Sequence, residues 1–176
     1  MPEMPDSMSI EMLAALAQRV RKACRAGKVV PRAELWQENE DTPPWEKAGI
    51  QDIALIRHGE REYFYSELLM THSYAEMAAR ACDTDACLVI AETVRNDSRI
   101  YARPTPIAIF TDAPFQIPQD SLSQALEGMC GNPRYSDVRS VWASDDSRFL
   151  FSSIYLYPAQ AEFLAEWAAV GRLQNP

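Results

Sequence analysis

Three pairs of short apolar runs, each pair divided by a tight polar turn, constrain the fold of this chain most. The turns are His58-Gly59-Glu60, Asn96-Asp97-Ser98 and Asp145-Asp146-Ser147, and the runs beside them are rich in branched and aromatic residues. Gly, Asn, Asp and Ser favour tight turns, and such runs are typical of β-strands. Each pair therefore predicts a β-hairpin.

Helix signals lie between and around the hairpins. Ser9 can cap a first helix that Gly27 ends, and its apolar stripe recurs at every third or fourth residue: Leu13, Leu16, Ala17, Val20 and Cys24. Ser73 and Ser121 each begin a capping box and predict further helices. Pro158 opens a last helix, on whose core face we place Phe163, Trp167 and Val170.

These elements predict an α+β fold with a mainly antiparallel sheet and short helices on one face. Two arrangements stay open: a repeated strand-strand-helix unit, or the split arrangement of a ferredoxin-like sandwich. Residues 34–48 hold two prolines and two tryptophans among several acids, which indicates a linker lying against the domain. We therefore assign residues 1–48 to an amphipathic N-terminal helix and packed linker, and residues 49–176 to the α+β domain.

Charge and composition narrow the function classes. The formal net charge of −8 disfavours nucleic acid and anionic membrane surfaces as partners. No segment approaches the length of apolar chain that spans a bilayer, and Glu3 and Asp6 stand where a signal peptide needs positive charge. We expect a soluble cytoplasmic protein.

The stretch LIRHGERE, residues 55–62, resembles the N-terminal motif of the histidine phosphatases, the phosphoglycerate mutase-like group. In that family the His is phosphorylated and the Arg holds the phosphate, which would give these roles to His58 and Arg57. The resemblance covers only these residues, and the second His that the family needs is absent after His72. The hairpin pattern favours a turn at His58-Gly59 instead.

Arginines on the hairpins are the candidate ligand-binding residues. Arg61, Arg99 and Arg148 occupy similar return-strand positions if the three hairpins align. With Arg57 and His58 they would bind a small phosphate or carboxylate, because a guanidinium grips both groups through paired hydrogen bonds. Pairing with acids across each hairpin is the alternative.

A proline-rich segment is the candidate surface for a protein partner or a second copy of the chain. Pro104 and Pro106 indicate an edge strand, and Phe115 and Ile117 lie in the loop that follows. An apolar loop beside a sheet edge can dock a partner, or it can fold back and cover the core.

Cysteines and known motifs add little chemistry. Cys82 and Cys87 are weak metal candidates, because their spacing departs from that of zinc sites. No phosphate-binding glycine motif occurs among only six glycines, and we predict no cofactor. The sequence leaves three hypotheses: a non-enzymatic binding or protein-interaction module, which we favour; an enzyme or sensor with a small anionic ligand; and a thiol or metal site.

Overall fold

A computed structural model describes residues 10–36 and 45–171. The chain divides into two compact units, which we call unit 1 (Met1–Ala79) and unit 2 (Arg80–Pro176). Our predicted boundary at residues 48 and 49 is a different division of the chain and stays a prediction. Within the described ranges, no helix is long and apolar enough to cross a lipid bilayer.

Unit 1 contains three helices and one antiparallel sheet. Its elements are helix α1 (Ile10–Arg25), strand β1 (Val30–Pro31), helix α2 (Arg32–Leu35), strands β2 (Ile53–His58) and β3 (Arg61–Ser66), and helix α3 (His72–Arg80). A short 3-10 turn, Trp45–Ala48, precedes β2. The strands are ordered β1-β3-β2, all antiparallel.

The first helix has the predicted stripe. All five stripe residues of α1 are buried, and α1 packs against β3. Trp36 and Trp45 are also buried in this core, and the rings of Trp45 and Phe64 meet edge to face at 5.7 Å. Residues 37–44 of the predicted linker lie outside the described residues.

Unit 2 repeats this order of elements and adds a further helix between its first strand and its hairpin. Its elements are helix α4 (Ala86–Ile100), strand β4 (Thr105–Pro106), helix α5 (Gln119–Met129), strands β5 (Val138–Trp142) and β6 (Arg148–Ser152), and helix α6 (Pro158–Glu166). Short 3-10 turns at Ile107–Phe110 and Pro133–Tyr135 flank α5. The strand order β4-β6-β5 is again antiparallel throughout.

The predicted middle hairpin is wrong. Asn96, Asp97 and Ser98 lie inside helix α4, which Asp85 caps by accepting hydrogen bonds from the backbone N–H groups of Cys87 and Leu88. The buried face of this helix recurs every four residues, but the last positions of that face are the polar Asp97 and Ser98, so the sequence resembles a turn. The mixed α+β class with antiparallel sheets is confirmed, whereas three equivalent hairpins do not exist.

Helices cover both faces of each sheet, which corrects the expectation of helices on one face. Four consecutive residues of β3, Tyr63–Ser66, are buried, and so are Phe149–Ser152 of β6. Because successive side chains of a strand point to opposite faces, such runs require cover on both.

A cluster of three polar residues recurs in the two units, and we call it the Arg–Asp–Ser clamp. In unit 1, Arg21 on α1 donates from Nε to Asp52 at 3.0 Å, and the Ser66 hydroxyl donates to the same carboxylate at 2.7 Å. In unit 2, Arg95 donates from Nε to Asp137 at 2.9 Å, and Ser152 donates at 2.7 Å. Each clamp joins the first helix of its unit, α1 or α4, to both strands at the open end of the hairpin.

The face of the last helix was predicted wrongly. Ala161 and Ala165 are the buried residues of α6, whereas Phe163 and Trp167 are 68% and 50% exposed. Small alanines let α6 approach Phe149 and Phe151 of the sheet closely, and the large side chains turn outward.

Candidate functional site

A cavity of about 360 Å³ lies in unit 2, and we call it the Arg148 pocket. Its apolar wall includes Pro106, Ile107, Leu122 and Phe149, and its polar groups are those of Thr111, Gln119, Ser147 and Arg148. Ligand pockets in proteins occupy about 300–1,000 Å³ and combine mostly apolar walls with a few polar groups. The size and lining of this cavity therefore suit a small ligand.

Strand pairing and a tight turn position the pocket. Pro106 of β4 lies opposite Phe149 of β6, so the 3-10 turn that follows Pro106 meets the beginning of β6. The Asp145 carboxylate accepts hydrogen bonds from the backbone N–H and the hydroxyl of Ser147, both at 2.9 Å. Asp146 has a φ of 65°, the left-handed conformation that a tight hairpin turn uses. This turn places Arg148 at the first position of the strand.

The guanidinium of Arg148 has no counter-charge among the described residues. Arg148 is half-buried, and its Nε–H is shielded from solvent without a hydrogen-bond acceptor in the described ranges. Its guanidinium carbon lies 5.5 Å from the centre of the Trp142 ring. An unsatisfied buried donor costs about 1–3 kcal/mol, so an acceptor supplied from outside would be stabilised here.

The same place in unit 1 is filled by an internal ion-pair network. Equivalent strand registers, Pro31 opposite Tyr63 and Pro106 opposite Phe149, place Glu62 where unit 2 has Arg148. Glu62 accepts hydrogen bonds from Arg32 and, at 2.6 Å, from Arg57.

These hydrogen bonds, that of Arg32 above all, lower the pKa of the Glu62 carboxyl. The units thus carry opposite charges at one position. In unit 2, Ile107 and Trp142 stand where unit 1 has Arg32 and Arg57. The negative charge of Glu62 is paired within unit 1, whereas the positive charge of Arg148 makes no ion pair in the described part of unit 2.

The predicted ligand-binding residues are divided between the two units and between strands and a helix. Arg57, His58 and Arg61 lie at the closed end of the β2–β3 hairpin, where His58 is opposite Arg61 and Gly59 turns with a φ of 58°. The turn that we favoured for His58-Gly59 is therefore present. Arg99 lies in helix α4 rather than on a return strand, so its proposed alignment with Arg148 is wrong.

The proline-rich segment mostly folds back onto unit 2. Pro104 and Phe115 are buried, and the ring of Phe115 lies 5.2 Å from that of Phe110. Pro106 and Ile117 are half-buried: Pro106 lines the Arg148 pocket, and Ile117 lines a second cavity of about 260 Å³ with Phe115. Of the two alternatives for this segment, the structure has the one in which the loop folds back and covers the core, not the exposed docking loop.

Cys82 and Cys87 are not among the described residues that line this pocket, and His72 belongs to unit 1. Cys82 is exposed, and Cys87 is partly buried with its thiol donating to the Ala125 carbonyl at 3.5 Å. Burial raises the pKa of the Cys87 thiol. Nδ1 of His72 lies 3.1 Å from the Tyr65 hydroxyl. Within residues 10–36 and 45–171, no three His, Cys, Asp or Glu side chains are grouped so as to hold a metal ion.

Sequence reasoning missed several residues of the pocket wall. Thr111, Gln119, Leu122 and Ser147 come from three separate stretches of sequence, and only folding brings them together. One signal was present: aligning FYSELLM with LFSSIYL around Ser66 and Ser152 sets Glu62 against Arg148. That reversal of charge between equivalent positions indicates Arg148 as a candidate ligand-binding residue.

The fold and the pocket define a protein of two similar α+β units, with a ligand-sized cavity in unit 2. Residues 83–173 match the family model described as the YdhW C-terminal domain, and since this is more than half of the chain, the protein belongs to that family. The chain is also 29% identical over 176 residues to the uncharacterized protein YdhW of Escherichia coli strain K12, covering 92% of this chain and 80% of that protein. No solved structure matches the chain significantly.

Proposed function

We propose that the protein is a non-catalytic binding module whose unit 2 takes a small anionic ligand in the Arg148 pocket. The observation that carries this proposal is that the half-buried Arg148 lines a cavity of about 360 Å³, while its shielded Nε–H has no hydrogen-bond acceptor in the described residues. A guanidinium binds carboxylates and phosphates through two parallel hydrogen bonds.

The polar groups around the pocket support binding rather than nucleophilic catalysis. The hydroxyl of Ser147 donates to Asp145, and that of Thr111 donates to the Ala108 carbonyl at 2.8 Å. A catalytic hydroxyl instead needs a neighbouring base that accepts its proton, and a turn carboxylate already held by a backbone N–H serves structure.

Calorimetric titration of the full chain with acetate, butanoate, hexanoate and inorganic phosphate tests this proposal. We expect at least one of these anions to bind the parent protein, and binding to fall at least tenfold in Arg148→Gln. The matched control is Arg139→Gln, since Arg139 is exposed on β5 and its loss leaves the pocket intact. No binding by any anion, or equal binding by Arg148→Gln, would contradict the proposal.

A protein partner or a second copy of the chain is the second candidate, and exposed aromatic residues favour it. Unit 2 exposes 61% of Trp142, 80% of Tyr157, 68% of Phe163 and 50% of Trp167. Trp and Tyr are enriched among the residues that dominate protein interfaces. This surface replaces the proline-rich loop as the candidate, because Pro104 and Phe115 are buried. Sedimentation of the full chain measures self-association.

A further inference from the structure

We infer that the ligand of the Arg148 pocket is a monocarboxylate with a short apolar body, an inference that rests on the proposed function. In unit 1 the equivalent position already joins a carboxylate to guanidinium groups: Glu62 accepts from Arg32 and Arg57. Unit 2 offers the guanidinium of Arg148 at that position. A carboxylate supplied by the ligand would restore in unit 2 the pairing that unit 1 makes internally.

The apolar wall of the pocket favours a ligand whose uncharged part is apolar. Leu122 and Phe149 are buried to 1% and 3% exposure, and Pro106 and Ile107 complete an apolar surface beside Arg148. Apolar groups gain free energy when such a wall removes them from water. A ligand that is only a charged group, such as acetate, would leave this wall unused.

The charges around the pocket favour a monoanion over a dianion. Among the described residues that line the cavity, Arg148 has the one cationic side chain. Asp120 lies in the first turn of α5, and Asp145 and Asp146 lie in the turn before Arg148. The formal net charge of the chain is −8. A single guanidinium neutralises one carboxylate, whereas the second charge of a phosphate monoester would have no cationic partner among the described lining residues.

The volume limits the length of that body. At about 360 Å³ the cavity is near the small end of ligand pockets. We therefore expect affinity to rise along a series of short straight-chain carboxylates. Each buried methylene contributes about 0.8 kcal/mol, which is about fourfold in the dissociation constant.

Four probes, three with six carbons and one with four, separate the contributions of charge, charge number and apolar length to this recognition. Titration calorimetry compares hexanoate with butanoate, with the neutral amide hexanamide and with hexyl phosphate. We expect the affinity for hexanoate to exceed that for butanoate, which is two methylenes shorter, by about fifteenfold, and to exceed the affinities for hexanamide and hexyl phosphate by at least tenfold. Ile107→Ser should flatten the dependence on chain length, while the control Ile154→Ser, at an exposed site, should keep it.

The outcomes distinguish this inference from the proposed function. If hexyl phosphate binds Arg148-dependently and more tightly than hexanoate, the binding site stands and the monocarboxylate inference is overturned. If hexanamide equals hexanoate, the guanidinium is not the recognition element and both fail. If none of the four probes binds the parent protein, the proposed pocket itself is contradicted for this class of ligand.

Discussion

Asp52 shows how the protein keeps a buried charge stable. Its side chain is 8% exposed, yet the hydrogen bond from Arg21 and that from Ser66 hold the pKa of the carboxyl at about 2 instead of 3.8. Hydrogen bonds to the ionised form and a nearby cation both favour the carboxylate, and here they outweigh the desolvation that opposes it. We therefore infer that the ionised Asp52 stabilises the fold.

Asp52→Asn should destabilise the protein in a pH-dependent way. A carboxyl whose folded pKa is lower than its unfolded pKa stabilises the fold above the unfolded value, and this stabilisation is lost as pH falls from about 4 to about 2. The difference in unfolding free energy between the parent and Asp52→Asn should be roughly 2 kcal/mol at pH 7 and shrink toward pH 2. Urea unfolding at several pH values measures it.

The exposed Asp112 provides the matched control for this experiment. Asp112→Asn should change the unfolding free energy little at any pH, because surface substitutions away from such contacts are usually nearly neutral. A pH-independent loss in Asp52→Asn would contradict the ionised clamp and indicate only a lost hydrogen bond. Asp137, whose pKa is lowered chiefly by the hydrogen bond from Arg95, should behave in the same direction as Asp52.

At the scale of elements, the turn after α1 fixes how the helix meets the rest of unit 1. Gly27 ends the helix with a φ of 72°, and a Cβ at this position would lie 2.9 Å from the Tyr74 hydroxyl oxygen of α3. A left-handed backbone favours glycine, and the close approach adds a steric demand that is independent of φ. The turn thus holds two helices of unit 1 close together.

Gly27→Ala should destabilise unit 1 more than Gly49→Ala does. Gly49 has a similar φ of 66° but open space where its Cβ would be, so it isolates the cost of the backbone conformation. We expect Gly27→Ala to cost roughly 1 kcal/mol beyond Gly49→Ala, measured as the difference in unfolding free energy. Adding Tyr74→Phe should recover most of that excess. Equal costs for the two glycines would show that Tyr74 moves aside freely.

The elements themselves were predictable where their period was clear. Helix α1 presents one apolar stripe to the β3 side and charged residues elsewhere, so sequence alone located it. Both hairpins with polar turns, β2–β3 and β5–β6, were also predicted. Helix α4 was not predicted, because its buried stripe ends in Asp97 and Ser98, polar residues that are typical of turns.

At the scale of the whole molecule, net charge governs how copies of the chain meet. The formal charge of −8 repels identical molecules, while the exposed aromatic residues of unit 2 favour association. If the aromatic surface binds a second copy, sedimentation at pH 7 should show association that strengthens as salt rises from about 50 to 500 mM, because salt screens the repulsion. Phe163→Ser should weaken it, and Arg139→Gln should not.

A chain that sediments as a monomer at every salt concentration would contradict the second-copy form of this candidate. Loss of association in Arg139→Gln as well would place the contact elsewhere. Neither result would bear on the Arg148 pocket, since that site is tested by small anions alone.

The sequence by itself determined the class of fold, helix α1, the two hairpins and Arg148 as a candidate ligand residue. These depend on neighbours along the chain: turn residues, capping residues and apolar periods act within a few positions. Arg148 was selected for the same local reason, as a guanidinium that begins the return strand of a hairpin.

Only the tertiary structure decided which candidates share a site. Pairing of β4 with β6 brought Pro106 and Arg148 to one cavity, the helical state of α4 removed Arg99, and the packing of Phe115 on Phe110 removed the exposed loop. Whether an arginine has an ion-pair partner likewise depends on residues that are distant in the sequence. Glu62 is paired and Arg148 lacks a partner in the described ranges because of residues that folding brings beside them.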